Sequence, residues 1–448
     1  MRSYHEAEEY LLNVPKFTMS AGGPSSTWLT RKNTLEDTGR FLELLGNPGS
    51  GKKVIHVAGT NGKGSVCAYL CSILGEAGYR VGMFCSPHLV EMRERFRING
   101  IPVEENVFTK AFEAVMDKIE RMREELDNPT YHPTFFEFLF LMGMLIFEEK
   151  GVDYIVLETG LGGRLDATNT IKSPVLTVIT EIGMDHTEYL GDTVGKIAQE
   201  KAGILKPCAP VVFCDKRKEA SEVILKRAKM LGIQAFPVAG GDYINVNLTN
   251  KSIDFSFHSR YYDYIRLTVT TKALYQVENA SIAARCIEVL QDPKVSLKHL
   301  TEGIRKTVWE GRMEEIMPGI FLEGAHNEDG IRAFVQSVSA DSCQGKRYML
   351  FSTVSDKDYE SMVRILEEKP LFEMAALTRL DSGRAASTEV LRAAFERYGS
   401  GRCEVFAGSR DALEFLMERK EERDYIYIVG SLYLVGEIKA LLRRRTDD

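Results

Sequence analysis

Two kinds of apolar pattern alternate along this chain. Short, nearly continuous apolar runs at 53–58, 80–85, 153–158, 175–180 and 210–214 predict strands buried on both faces, as in a parallel sheet. Helical stretches lie between them. In 104–126, Val107, Ala111, Val115, Ile119, Met122 and Leu126 recur every three or four residues, the spacing of one buried helix face. Phe138 to Phe147 is apolar almost throughout and predicts a helix buried on most sides; it is too short to span a bilayer. Between 242 and 271 the pattern switches to strict alternation, with Thr249-Asn250-Lys251 as a turn, which predicts antiparallel hairpin structure at an edge of the first domain. A helix over 274–290 follows. A second strand–helix series then begins near Ile320, with strands at 320–323, 346–351, 372–377, 402–406 and 425–430. The switch around Met313 to Gly319 predicts a domain boundary. Strand–helix alternation means an α/β fold with crossover helices.

Length agrees with this division, because 448 residues exceed one ordinary core. The net charge of −7 argues against nucleic acid as a main partner. The eight cysteines include no Cys-x-x-Cys pair, and most sit in apolar runs, so they predict reduced thiols in a cytoplasmic protein. Cys67 and Cys71, one turn apart, fit either a packed helix face or a metal pair. The amino-terminal MRSYHEAEEYLL carries charge and lacks a signal-type apolar core.

The most informative stretch is Val54 to Ser65, VIHVAGTNGKGS. An apolar strand runs into Gly59-Thr60-Asn61-Gly62-Lys63-Gly64-Ser65, and a helical pattern follows. Glycines let backbone N–H groups face one concavity, the helix N-terminus adds partial positive charge, and Lys63 adds a full one; together they make a phosphate cradle. The spacing departs from the usual P-loop. Val57 stands where that pattern has Gly, and Gly64 separates Lys63 from Ser65.

Other polar residues follow strand ends, where open α/β sheets bind ligands. Glu158 precedes the glycine-rich Thr159-Gly-Leu-Gly-Gly163. Asp185-His186 follows the strand at 175–180, and Ser86 follows that at 80–85. Singly, each also fits a structural role; beside a phosphate loop, Ser86, Glu158 and His186 fit a magnesium site. Lys201, taken alone, fits a solvated helix lysine.

These residues belong to a longer series of motifs. HVAGTNGKGS at 56–65, SPHL at 86–89, ERFRING at 94–100 and TFFEF at 134–138 are followed by LETGLGGRLDATN at 157–169, ITEIGMDHTEYLG at 179–191 and EKAGI at 200–204. WEGRME at 309–314, GAHN at 324–327, SDKDYE at 355–360 and GSLYLVGE at 430–437 complete it. In these motifs and their order the chain resembles folylpolyglutamate synthase / dihydrofolate synthase, a branch of the Mur-type, ADP-forming amide ligases. The resemblance implies a P-loop-type ATP- and folate-binding domain over 1–314 and a smaller Rossmann-like domain over 315–448 on the glutamate side of a cleft. ATP would be bound by Thr60, Asn61, Gly62, Lys63, Gly64 and Ser65, and by Asn279, Arg312, Glu323 and His326. Thr134, Leu165, Asp166 and Ala167 fall where the family binds a pterin. Two Mg²⁺ ions would be held by Ser86, Glu158, His186 and Lys201, the last matching a lysine that the family carbamylates. Lys63, Glu158, His186 and Lys201 would be the catalytic set.

The activity so implied is ATP-dependent ligation of L-glutamate to dihydropteroate and to folates through an acyl phosphate, by a cytoplasmic monomer with small-molecule substrates and no nucleic-acid or membrane partner. A folylpolyglutamate synthase alone, and a P-loop ATPase switch without ligase activity, are the alternatives. Three departures stand out: Glu323 where the family has Asp, Glu328 where it has Pro, and the segment Pro15 to Thr30, PKFTMSAGGPSSTWLT, which lacks the family's stretch near the pteridine site.

Overall fold

The computed structural model describes residues 2–15, 33–399 and 402–447. Beyond Pro15, the unusual Pro15–Thr30 segment lies outside them. The chain divides into two compact units. One comprises residues 1–88, 92–240 and 282–304, and the other 89–91, 241–281 and 305–448.

The first unit is built on an eight-stranded sheet. Its strands are β1 (Lys53–Ala58), β2 (Val81–Phe84), β3 (Phe96–Ile98), β4 (Ile101–Pro102), β5 (Tyr154–Glu158), β6 (Leu176–Ile179), β7 (Val211–Cys214) and β8 (Ala235–Val238). They lie in the order β4-β3-β2-β5-β1-β6-β7-β8. The six strands from β2 to β8 in that order are mutually parallel, and β1, the central one, pairs with β5 and β6. The inner five of these, β2, β5, β1, β6 and β7, are buried on both faces and so largely apolar without alternation, which is why they are conspicuous in the sequence. The antiparallel edge is β3-β4, closed by Asn99 (φ 48°) and Gly100 (φ 83°), the left-handed pair that a two-residue hairpin needs. The edge hairpin therefore falls at 96–102, not at 242–271.

The buried helix of the 138–147 run is Phe135–Glu149, packed within an aromatic cluster that includes Phe41, Phe84, Phe96, Phe108, Phe112 and Phe138. The periodic stretch 104–126 is two helices, Glu105–Met116 and Ile119–Glu125. Among the described residues no helix is long and apolar enough to cross a membrane.

The second unit carries two sheets. The alternating segment forms β9 (Tyr243–Leu248), β10 (Ile253–Phe257) and β11 (Ile265–Val269), a separate three-stranded antiparallel sheet. The other sheet runs β12 (Arg312–Met317), β13 (Ile320–Glu323), β17 (Tyr425–Val429), β14 (Arg347–Phe351), β15 (Met374–Thr378), β16 (Cys403–Phe406) in spatial order. All neighbours are parallel except β12 and β13. Along the inner strands the side chains alternate between two buried faces. Phe321, Met349, Phe351, Tyr427 and Val429 enter one core, whereas Ile320, Leu322, Leu350, Ile426 and Ile428 enter the other. A boundary after Glu314 would cut β12, so the second sheet begins at Arg312.

Candidate functional site

The phosphate-type loop leaves the end of β1 and is strapped to the segment after β6. Thr60 N–H donates to the carbonyl of Glu181 at 2.7 Å, and Asn61 N–H to the same oxygen at 3.3 Å. Thr180 Oγ1 donates to the Asn61 carbonyl at 2.7 Å, and Thr60 Oγ1 donates to the Gly183 carbonyl at 3.1 Å. A Cβ on Gly59 would overlap Thr180 Oγ1, so only glycine permits this approach. Gly62, left-handed at φ 87°, turns the chain into the helix Lys63–Glu76. The donors that can face an anion are therefore the first-turn amides from Lys63 on, which have no carbonyl one turn back to reach. The amides of Thr60 and Asn61 hold the loop instead. Lys63 Nζ donates to the Thr60 carbonyl at 3.1 Å, folded over its own loop.

Lys201 is not solvated. It ends the helix Val194–Lys201, is 4% exposed, and donates from Nζ to the Gly59 carbonyl at 2.7 Å. Burial, and then the nearby Lys63 cation, lower its pKa to about 7, against the opposing pull of Asp185 and Asp166. A large part of this lysine is a neutral amine near neutral pH.

Glu158 ends β5 and is 3% exposed, which excludes a carboxylate facing water; its Oε2 accepts the Ser86 N–H at 3.1 Å. His186 sits in a left-handed turn at φ 50°, with a 41% exposed ring whose Nε2 is 3.9 Å from Asp185 Oδ2. Among the described residues no three His, Cys, Asp or Glu side chains converge on one metal position. A buried carboxylate with few companions suits Mg²⁺, which takes one or two carboxylates and completes its shell with water and phosphate oxygens. Cys67 and Cys71 are both buried, and burial raises both thiols, that of Cys71 well above its usual value.

The residues expected near a pterin divide by role. Leu165 is 51% exposed. Ala167 is buried. Thr134 is buried as the N-cap of Phe135–Glu149, in a capping box with Glu137, whose carboxylate also receives Asn33. Asp166 is buried, and its carboxylate is filled from within its own loop. Oδ2 accepts Gly160 N–H at 2.8 Å and Leu161 N–H at 2.9 Å, while Oδ1 accepts Thr168 N–H at 3.0 Å and Thr168 Oγ1 at 2.5 Å. Four accepted bonds are the capacity of an ionised carboxylate, so Asp166 shapes this loop rather than reaching outward.

The second unit holds the other expected nucleotide residues. Asn279 is buried and bonds Gln276 Oε1 at 3.1 Å. Arg312 begins β12 and donates to the Gly311 carbonyl at 3.0 Å; a Cβ on Gly324 would overlap its guanidinium. His326 bonds the Gly324 carbonyl through Nδ1 at 2.8 Å. Glu323 is 2% exposed, and its carboxylate accepts Tyr275 OH at 2.5 Å, Met313 N–H at 3.1 Å and Ala325 N–H at 2.9 Å. Burial raises its pKa, opposed by Arg312 and these bonds. The extra methylene relative to Asp is thus met inside the protein. Sequence reasoning missed Thr180 and Glu181 as the loop's straps, and Tyr275 as the partner of Glu323. Thr180 and Glu181 lie within the motif at 179–191, but nothing in it marks a strap, and no local pattern marks Tyr275.

The Mur ligase middle domain model matches residues 57–287, and the Mur ligase glutamate ligase domain model matches 311–432. The chain is 33% identical to the dihydrofolate synthase/folylpolyglutamate synthase of Bacillus subtilis, over 90% of this chain and 94% of that protein. It is similar to the crystal structure of folylpolyglutamate synthase from Thermotoga maritima, with a TM-score of 0.80 and 31% identity, covering 98% of this chain and 96% of that one. It is also similar to Escherichia coli FolC in complex with DHPP and ADP, with a TM-score of 0.83 and 26% identity over 99% of each chain.

Proposed function

Because this chain belongs to the Mur ligase family, in its folylpolyglutamate synthase/dihydrofolate synthase branch, we propose that it joins L-glutamate to dihydropteroate and to folates, converting ATP to ADP and phosphate. The ligase class follows from the family, whose members are ATP-dependent amide ligases. The observation that carries the reading at the level of the site is the phosphate loop, strapped to residues 180–183 beside a buried, partly neutral Lys201. Action on both substrates is supported by the name of the Bacillus subtilis relative and by the DHPP and ADP bound by the Escherichia coli protein.

A carboxylate is a poor acyl donor because its oxide leaves badly. Transfer of the γ-phosphoryl group makes an acyl phosphate, which the glutamate amine attacks, expelling phosphate. The transferring group is stabilised by fixed positive charge, here Lys63 and the first-turn amides of Lys63–Glu76. The same loop orients the nucleotide, and no enzyme nucleophile is required. Glu158, Ser86 and His186 would hold Mg²⁺, which would neutralise phosphate charge. The neutral amine of Lys201 can add to CO₂, forming an N–C bond with loss of a proton; the carbamate would be a further anionic metal ligand. On the second unit, Asn279, Arg312 and His326 are proposed as nucleotide contacts, Glu323 as their support, and residues from Arg312 on as the glutamate side. Eight thiols without a disulfide support a reducing, cytoplasmic setting, and a monomer suffices for the reaction.

The deciding experiment is ADP release by purified protein with dihydropteroate and L-glutamate together, and with each omitted. The ligase predicts release only when both are present, and a product heavier by one glutamyl residue. ADP release indifferent to both would favour an ATPase switch.

A further inference from the structure

His56 lies on central strand β1, three residues before Gly59, and its side chain is fully buried. Its Nε2 is 2.8 Å from Thr168 Oγ1. The Thr168 hydroxyl has one proton, and it lies along the 2.5 Å bond to Asp166 Oδ1. Three backbone amides already fill the rest of that carboxylate, so Asp166 is the acceptor. The hydroxyl must then accept, and His56 must donate from Nε2–H. Nδ1 is left bare, and among the described residues it has no hydrogen-bond partner. This is the tautomer that gives every link of the chain both a donor and an acceptor. Burial holds the ring neutral, with a pKa near 3.

We propose that His56 is a positioning residue for the carboxylate substrate: through Thr168 and Asp166 it fixes the backbone of Gly160 and Leu161 and so sets the loop from Gly160 to Thr168, which carries the exposed Leu165. The chain is directional, from imidazole N–H to hydroxyl to carboxylate to two amides, and every link has hydrogen-bond geometry. The phosphate loop is anchored separately, through Thr180, Glu181 and Gly183. The two loops are held by different direct contacts, joined through the end of the helix Val194–Lys201, which bonds Arg164 N–H and the Gly59 carbonyl, so loss of His56 acts first on the loop from Gly160 to Thr168. The proposal rests on the reading that this loop faces the pterin end of the substrate.

The test compares His56→Leu, His56→Gln and Thr168→Val with the unaltered full chain. Gln can place an N–H donor near the position of Nε2; Leu cannot. The expected result for His56→Leu and Thr168→Val is a KM for dihydropteroate raised roughly tenfold, as for loss of one buried hydrogen bond, with KM for ATP unchanged. His56→Gln recovers most of that loss. An unchanged dihydropteroate KM, an equal rise for ATP, or no rescue by Gln would overturn the assignment. Amide hydrogen exchange at Gly160 and Leu161, measured without substrate, separates the two readings. Faster exchange in His56→Leu supports the link even if dihydropteroate is not the substrate; unchanged exchange refutes it even if dihydropteroate is. If His56→Leu does not fold, Thr168→Val gives both readouts.

Discussion

Lys201 Nζ donates to the carbonyl of Gly59 at 2.7 Å, so a helix residue 142 positions away in sequence is bonded to the first residue of the phosphate loop. The amine is enclosed there with its pKa lowered from 10.5 to about 7. Between those values the unfolded chain binds more protons than the folded one, so this group makes stability rise with pH through that window. Below pH 7 the folded protein bears the full cost of a buried ammonium, on the order of 5 kcal/mol for such a gap. Lys201→Met is therefore expected to be inactive yet more resistant to urea than the unaltered protein at pH 6 in CO₂-free buffer, the advantage shrinking towards pH 10. Bicarbonate should stabilise only the protein that retains the lysine. A constant difference across pH would rule out the buried, partly neutral amine.

Lys63 folds over its loop to reach the Thr60 carbonyl and contributes little else to the fold. Lys63→Ala should leave urea resistance near that of the unaltered protein while lowering kcat about 100-fold or more, the usual loss when a fixed charge is removed from a transferring phosphoryl group. Turnover close to normal would refute the cradle assignment.

Asp292 ties the amino-terminal end of the first sheet to the loop after Tyr275–Leu290. It accepts Lys53 Nζ at 2.8 Å, Tyr79 OH at 2.6 Å and Tyr154 OH at 2.6 Å. Burial alone would raise its pKa, but the bonds from Lys53, Tyr154 and Tyr79 outweigh it and hold the carboxyl far below the usual range. Its contribution is complete above the ordinary aspartate pKa and is lost only as pH falls towards the depressed value. Asp292→Ala should cost about 3 kcal/mol in urea unfolding at pH 7, since two hydroxyls and an ammonium lose their acceptor together. The difference should narrow below pH 4 without change in KM for any substrate.

Glu323 holds Met313, a buried residue with φ 49°, through its N–H, and Tyr275 through its hydroxyl. A left-handed backbone in a large side chain requires such support. Met313 follows Arg312 in β12, where the register against β13 shifts. Glu323→Asp shortens the side chain by one methylene and cannot keep both bonds. It should destabilise the protein by about 1–2 kcal/mol and raise KM for ATP, and Tyr275→Phe should reproduce the stability loss. If Glu323→Asp raises KM for ATP with no loss of stability, Glu323 contacts the nucleotide directly.

The inner parallel strands of both sheets were legible because full burial makes each a nearly unbroken apolar run. The edge hairpin was not: Phe96–Ile98 and Ile101–Pro102 are too short to show a period, although Asn99-Gly100 is the turn pair that closes them. Ala235–Val238 contains Pro237, which argues against a strand, and is tolerated on the sheet's outermost position. The 104–126 period continues across Asp117 and Lys118 because the two helices flanking the break both turn apolar residues inward.

By itself the amino-acid sequence determined the α/β class, the phosphate loop and the family, since each is written in neighbouring residues whose chemistry is short-range. Tertiary structure decided which polar groups are engaged. Lys201 has the local setting of a solvated helix lysine, and only distant segments closing over it make it a partly neutral amine. Asp166 and Glu323 sit in motifs that suggest ligand contacts, yet their oxygens are occupied by amides and hydroxyls that the folded chain brings to them. Burial and hydrogen-bond saturation depend on what covers a residue, and that comes from elsewhere in the chain.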